Sequence, residues 1–230
     1  MINRLERMEA TPITARRAAL RPREAAALML ISRAGAEPQV LVGRRSSAHV
    51  FMPDVYVFPG GRRDAGDHRL PYESDLAPEV LARLRRLGLS ATRARALALA
   101  AIREMHEETG LIVGGAREGV ALPFSAGLKH LRYIARAVTA PGHPRRYDTH
   151  FFALFADEVG IDPASARDSD ELSDLRLVSI ADPSPVAVPD ITRTVLSALA
   201  ERLSADPELG FEAPAPYFHV RHGRFIRDLL

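Results

Sequence analysis

The chain has no cysteine, a single lysine (Lys129) among its 31 basic residues, and no apolar run that approaches 18 residues. The first absence excludes disulfides, thiolate nucleophiles and cysteine-based zinc sites. The last argues against a membrane-spanning helix. The N-terminus also lacks the apolar core of a secretory signal, so a cytoplasmic enzyme without a membrane partner is the expectation. Scarcity of lysine leaves arginine to carry the positive charge, a usage that GC-rich coding explains as well as function does. The formal net charge is only +2, so no general affinity for nucleic acid follows. What remains is an ordinary globular composition, 47% hydrophobic and 26% charged over 230 residues, long enough for one domain with a buried core.

Read in order, residues 1–21 are rich in Arg and Ala without strong periodicity and read as a loose arm or a short helix. Ala25 to Ser32 is a short apolar run, a buried strand. A Gly35-Ala36-Glu37-Pro38 turn leads to a second strand, Gln39 to Arg45, so the two suit a hairpin. Val55 to Phe58 is a brief strand delivering the chain to Gly60-Gly61, where missing Cβ atoms let backbone approach a ligand. Within residues 68–92, Leu76, Val80, Leu81, Leu84 and Leu87 suit an amphipathic helix, either a cap beside the site or plain packing. Further strands are expected from Leu111, over Leu131 to Thr139, Arg146 to Ala156 and Leu175 to Ile180. Asp190 is expected to N-cap a helix through about Leu203. In the extension 204–230, Tyr217 to Leu230 suits a small hairpin around His222-Gly223. Strands around two main helices indicate an α/β layered fold.

The most informative segment is Ala94 to Thr109, free of Pro and Gly and closed by Gly110, the residue type that takes a left-handed C′ position at least cost. Leu97, Ala98, Ala101, Ile102 and Met105 form its apolar face. Glu104, Glu107 and Glu108 fall within about 100° of one another on an adjoining face. Like charges at these spacings destabilise a helix by roughly 0.2–0.5 kcal/mol per pair, and acids near its C-terminus oppose the macrodipole. Two readings stand: a solvated acidic face, or a site for a hard divalent cation such as Mg²⁺ or Mn²⁺, which prefers carboxylate oxygen. Arg103, four residues before Glu107, is placed to pair with it.

Arg103-Glu104-Met105-His106-Glu107-Glu108-Thr109-Gly110-Leu111, preceded by Gly60-Gly61, resembles the Nudix box of the Nudix hydrolases, G-x5-E-x7-R-E-U-x-E-E-x-G-U with U aliphatic. With Gly61 as the first glycine, Asp67 stands where the family has Glu. Thirty-five residues rather than seven then precede Arg103, an insertion of 28. Upstream, Leu41 to Ser46, eleven residues, then Phe58-Pro59-Gly60-Gly61 has the spacing of a coenzyme A-type signature, L-L-T-x-R-S-x3-R-x3-G-x3-F-P-G-G. It departs at Gly43 for Thr, Val50 for Arg and Asp54 for Gly. Phe51-Met52-Pro53 and the segment Arg145 to Phe152 are similar to the peroxisomal acyl-coenzyme A diphosphatase branch.

The resemblance implies a mixed β-sheet sandwiched between α-helices, with a helical insertion inside the box. It implies a Mg²⁺- or Mn²⁺-dependent diphosphohydrolase acting on a nucleoside diphosphate linked to another moiety, coenzyme A or acyl-coenzyme A among the candidates. Metal ligands carried over by position are Glu104, Glu108 and the Gly60 carbonyl, with Glu107 a third ligand or the group that holds a bound water, and Arg103 joins the three acids in the catalytic set. A further carboxylate from a distant loop is expected, with Glu171 as candidate and Asp157 and Glu158 as rivals. Arg44 or Arg45, Phe51, Gly61 and Asp148 are the candidate substrate contacts. The expected partner is a small-molecule diphosphate, with a homodimer open. A contrasting reading is a Nudix-fold nucleotide-binding module or regulator without catalysis.

Overall fold

Arg23–Ser32 (β1) is apolar from Ala25 to Ile31 because this part of the strand is covered on both faces. Ala26, Leu28 and Leu30 enter one core, and Ala27, Met29 and Ile31 enter a second on the opposite side. Gln39–Arg45 (β2) returns antiparallel to β1. The computed structural model describes residues 20–46, 54–116 and 122–230.

Around β1 the sheet is mixed. Tyr147–Phe155 (β9) runs parallel to it, and Arg132–Val138 (β8) pairs antiparallel with β9. Beyond them lie Pro216–Arg221 (β11), parallel to β8, and the terminal hairpin strand Arg224–Leu229 (β12). On the other side Leu172–Ser179 (β10) borders β2, giving the order β10-β2-β1-β9-β8-β11-β12. Two short strands set the site: Tyr56–Val57 (β3) on β2 and Gly60–Arg62 (β4) on β1.

Helices cover both faces. Pro78–Arg86 (α1) and Ala91–Thr109 (α2) close the first core, and Asp190–Ala205 (α3) closes the second. A small sheet of Tyr72–Ser74 (β5), Phe124–Gly127 (β7) and Gly114–Ala116 (β6) flanks the first. Among the described residues no helix is long and apolar enough to cross a membrane.

Several boundaries differ from the sequence expectation. The box helix begins three residues earlier than Ala94, because Ser90 caps it by accepting the Arg93 N–H at 3.2 Å. Leu111 to Val113 is no strand: Leu111 and Val113 are buried anchors, and pairing starts at Gly114. Asp190 is the first helical residue rather than the N-cap, so its charge meets the helix N-terminus instead of bonding an N–H. Residues 68–92 hold more than one helix, since β5 precedes the nine-residue α1 and pairs with β7.

Candidate active site

α2 buries Leu97, Ala98, Ala101, Ile102 and Met105 against the sheet, and this fixes the rotation of its last two turns. Glu104 and Glu108 turn inward beneath β4, whereas the side chain of Glu107 is 52% exposed. The Gly60 N–H donates to Glu108 Oε2 at 2.8 Å. A Cβ on Gly61 would lie 2.4 Å from the Glu104 carboxylate, and one on Gly60 would lie 2.6 Å from Ala26 O and Ala27 Cα. The two glycines therefore admit this protein's own strand and carboxylate, a tighter demand than the approach of a ligand.

Arg103 ties the site together. Its Nε donates to Asp67 Oδ1 at 2.8 Å, and one terminal nitrogen serves both Glu104 Oε1 at 2.9 Å and Glu107 Oε2 at 2.8 Å. The other donates to Arg62 O at 3.0 Å. Burial works against its charge, but the Asp67 bond and the charges of Glu104, Asp67 and Glu107 more than offset this and keep it protonated. Asp67 is 2% exposed and also accepts the Asp64 N–H at 2.6 Å. Sequence reasoning foresaw the Arg103–Glu107 pair and missed the deeper Asp67 partner. The signal was there, a carboxylate at the box's first acidic position.

The acids disfavour one another's ionisation. Burial pushes Glu108 up to about 8, against the pull of the Gly60 N–H, with the charges of Glu104 and Glu171 adding and Arg45 opposing. Glu104 is raised for the same first reason, opposed by Arg103. Glu171 thus lies within electrostatic reach of both, because the turn before β10 returns beside β2, where Ser46 N–H donates to Glu171 O at 3.1 Å. Its rivals are engaged elsewhere: Asp157 with Arg33 and Glu158 with Arg132.

Arg44 and Arg45 share a cavity of about 260 Å³ with Ser46, Asp54, Ser169, Asp170 and Ser173. Asp54, where the signature has Gly, has φ 57°, so this position takes a left-handed conformation that Asp tolerates better than most residues. Asp148 is engaged by Arg136 in a two-bond pair at 2.7 and 2.6 Å. Phe51 and Val50 lie outside the described residues. His106 is half-buried, set edge-on against Phe124, with its Nδ1 3.3 Å from the Leu111 carbonyl.

The donor set suits a hard divalent cation. Glu104 shares the Arg103 guanidinium with Asp67 and Glu107, Glu108 accepts the Gly60 N–H, and burial raises both carboxyls; Mg²⁺ is commonly held by one or two carboxylates, with phosphate and water completing its shell. Among the described residues no group of three or more histidine, aspartate or glutamate side chains is placed to hold a metal ion, so protein side chains would supply at most part of its shell.

No protein-family model matches this chain, and no curated protein does. Among solved structures it is similar to a Nudix hydrolase from Alicyclobacillus acidocaldarius, at 25% identity and a TM-score of 0.60, over 79% of this chain and 92% of that one. The fold is that of the Nudix hydrolases. Weaker likenesses are to the Nudix domain of Shewanella oneidensis NrtR in complex with ADP ribose (13%, TM-score 0.49, 80% and 90% covered) and to RenU, a Nudix hydrolase from M. smegmatis (16%, 0.48, 80% and 88%). Within the Nudix fold the two halves of the box stand side by side: Asp67 meets Arg103 although 35 residues separate them in sequence.

Proposed function

We propose that the protein is a Mg²⁺- or Mn²⁺-dependent diphosphohydrolase cleaving a nucleoside diphosphate linked to another moiety. The observation that carries this reading is the pair of inward carboxylates Glu104 and Glu108 packed against Gly60-Gly61, with Arg103 locked by Asp67. A bound divalent cation would neutralise the diphosphate and lower the pKa of an attacking water. Glu104 and Glu108 would hold that cation, with Glu107, the Gly60 carbonyl and Glu171 as further candidate oxygen donors. Arg103 is a positioning residue, fixing the carboxylates of Glu104 and Glu107. Arg45, whose charge reaches Glu108, is the basic residue that would face the substrate phosphates, while its neighbour on β2, Arg44, points to the opposite face toward Asp174. Positioning and electrostatics carry the rate, as in other phosphoryl chemistry.

Coenzyme A derivatives are the preferred substrate class in this reading. The spacing from Leu41 to Gly61 and the Tyr147-Asp148-Thr149 segment support it, and Asp54, where the signature has Gly, takes a left-handed φ of 57° that glycine adopts freely. The test is a screen of diphosphate-linked compounds with each metal, identifying phosphate products by mass, on the parent and Glu108→Gln. Parent turnover with coenzyme A derivatives above 8-oxo-dGTP-like triphosphates in kcat/KM, lost in Glu108→Gln, is the expected result. Nucleotide binding without any turnover would favour the binding-module reading instead. A Glu108→Gln protein as fast as the parent would remove the assignment of the site.

A further inference from the structure

We propose that β12 is the contact surface of a homodimer, pairing antiparallel with its own copy about Ile226. β12 ends the large sheet, and among the described residues its only strand partner is β11. The two join through His222 (φ 51°) and Gly223 (φ 75°), both left-handed, a two-residue hairpin turn. Such a turn makes Arg221 and Arg224 a hydrogen-bonded pair. Arg224, Ile226 and Asp228 then bond to β11, and Phe225, Arg227 and Leu229 turn their backbone N–H and C=O outward. The strand has no Pro and no bulge, and its charges, Arg224, Arg227 and Asp228, are of both signs, so they can complement rather than repel a second copy. Of the five exposed large hydrophobic side chains among the described residues, two lie on this strand of six: Phe225 at 54% and Leu229 at 69%.

Charge selects the partner and the register. Outward-facing residues must meet outward-facing ones, so only alternate registers are available. Centred on Ile226, Arg224 of each copy lies opposite Asp228 of the other, and Phe225 opposite Arg227. Shifting the centre to Arg227 would set two arginines face to face, and shifting it to Phe225 would leave Arg224 opposite Ile226. Arg224 has no ion-pair partner among the described residues, and Asp228 is 58% exposed beyond its 2.9 Å contact with His219. A six-residue edge with its flanking side chains is a small interface, so the expected association is weak, with a Kd on the order of micromolar.

The test is sedimentation of the full chain across a concentration series, with circular dichroism and melting as controls of folding. Arg224→Asp alone or Asp228→Arg alone sets like charges opposite each other twice per dimer and is expected to weaken association about tenfold. The double variant restores both pairs with reversed sign, and its Kd is expected to return to near the parent value. A parent that stays monomeric throughout the series overturns the proposal. So does a dimer indifferent to the single swaps, or one that the double variant fails to restore.

Discussion

At the scale of single residues, two adjacent glycines are required for different reasons. Gly60 is packed against the backbone of β1, which cannot yield, whereas Gly61 is crowded only by the far end of the Glu104 side chain. Gly60→Ala is therefore expected to destabilise the fold by about 1–3 kcal/mol, as overpacking does. Gly61→Ala should melt near the parent temperature while losing about a hundredfold in kcat through displacement of Glu104. Melting curves and kinetics on the pair check both outcomes. Glu108 yields a prediction in pH. Its carboxyl is raised from 4.5 to about 8, so its contribution to stability without a cation is fullest below pH 4.5 and is lost as pH rises through about 8. A bound cation needs the ionised form, so the sign reverses on binding. The rise in melting temperature on adding Mg²⁺ or Mn²⁺ should be larger near pH 8.5 than near pH 6, and largely absent in Glu108→Gln. Of these roles the motif gave the identity of the acids. Which of them turn inward depended on how α2 rotates against the sheet, and Glu104 and Glu107 look alike in sequence.

At the scale of elements, α1 is part of the first core, not an ornament: Val80 and Leu84 are fully buried there. It is also tied to the C-terminal extension. Arg83 is buried, donates to the carbonyls of Glu212 and Ala213, and keeps no hydrogen bond at Nε. Arg202 and Arg132 hold the same segment through the carbonyls of Gly210, Leu209 and Glu208. Arg83→Met should cost about 1–3 kcal/mol, since two carbonyls lose a charged donor. Limited proteolysis should then cut within residues 206–215 before the protein unfolds globally. Strand and helix periods made β1, β2, β8, β9 and the terminal hairpin legible from sequence. The latch was not, because its partners lie some 130 residues apart and an arginine on an amphipathic helix reads as surface.

For the whole molecule, the central sheet carries a buried titratable group unrelated to the site. His150 on β9 is 1% exposed, and its Nδ1 lies 2.9 Å from the Tyr133 hydroxyl. Burial lowers its pKa from 6.5 to about 4, opposed by Asp148, so it is neutral at pH 7. Tyr133, raised by burial, stays protonated and shares this hydrogen bond with the neutral imidazole. A depressed folded-state pKa leaves stability intact above 6.5 and erodes it as pH falls toward 4, by roughly 3 kcal/mol in all. Denaturant titrations of the parent and His150→Gln between about pH 4 and 7 should diverge by that slope, the variant being flatter. The α/β class followed from the pattern of elements. The sheet order did not, since β1 and β9 pair in parallel across more than a hundred residues and no local signal records it.

The Asp67–Arg103 contact has a polymer-physics consequence. Joining those residues closes a loop of 35 residues where the family motif closes seven. Loop-closure entropy grows only with the logarithm of length, so the fivefold longer path costs roughly 1.4 kcal/mol more. Burying Val80 and Leu84 offsets that cost, at about 1.5–3 kcal/mol each. The site is thus indifferent to the length of its own interruption. Gly88, with φ 82° and open space where a side chain would stand, is the place in that loop where an added segment is expected to leave the Asp67–Arg103 contact intact.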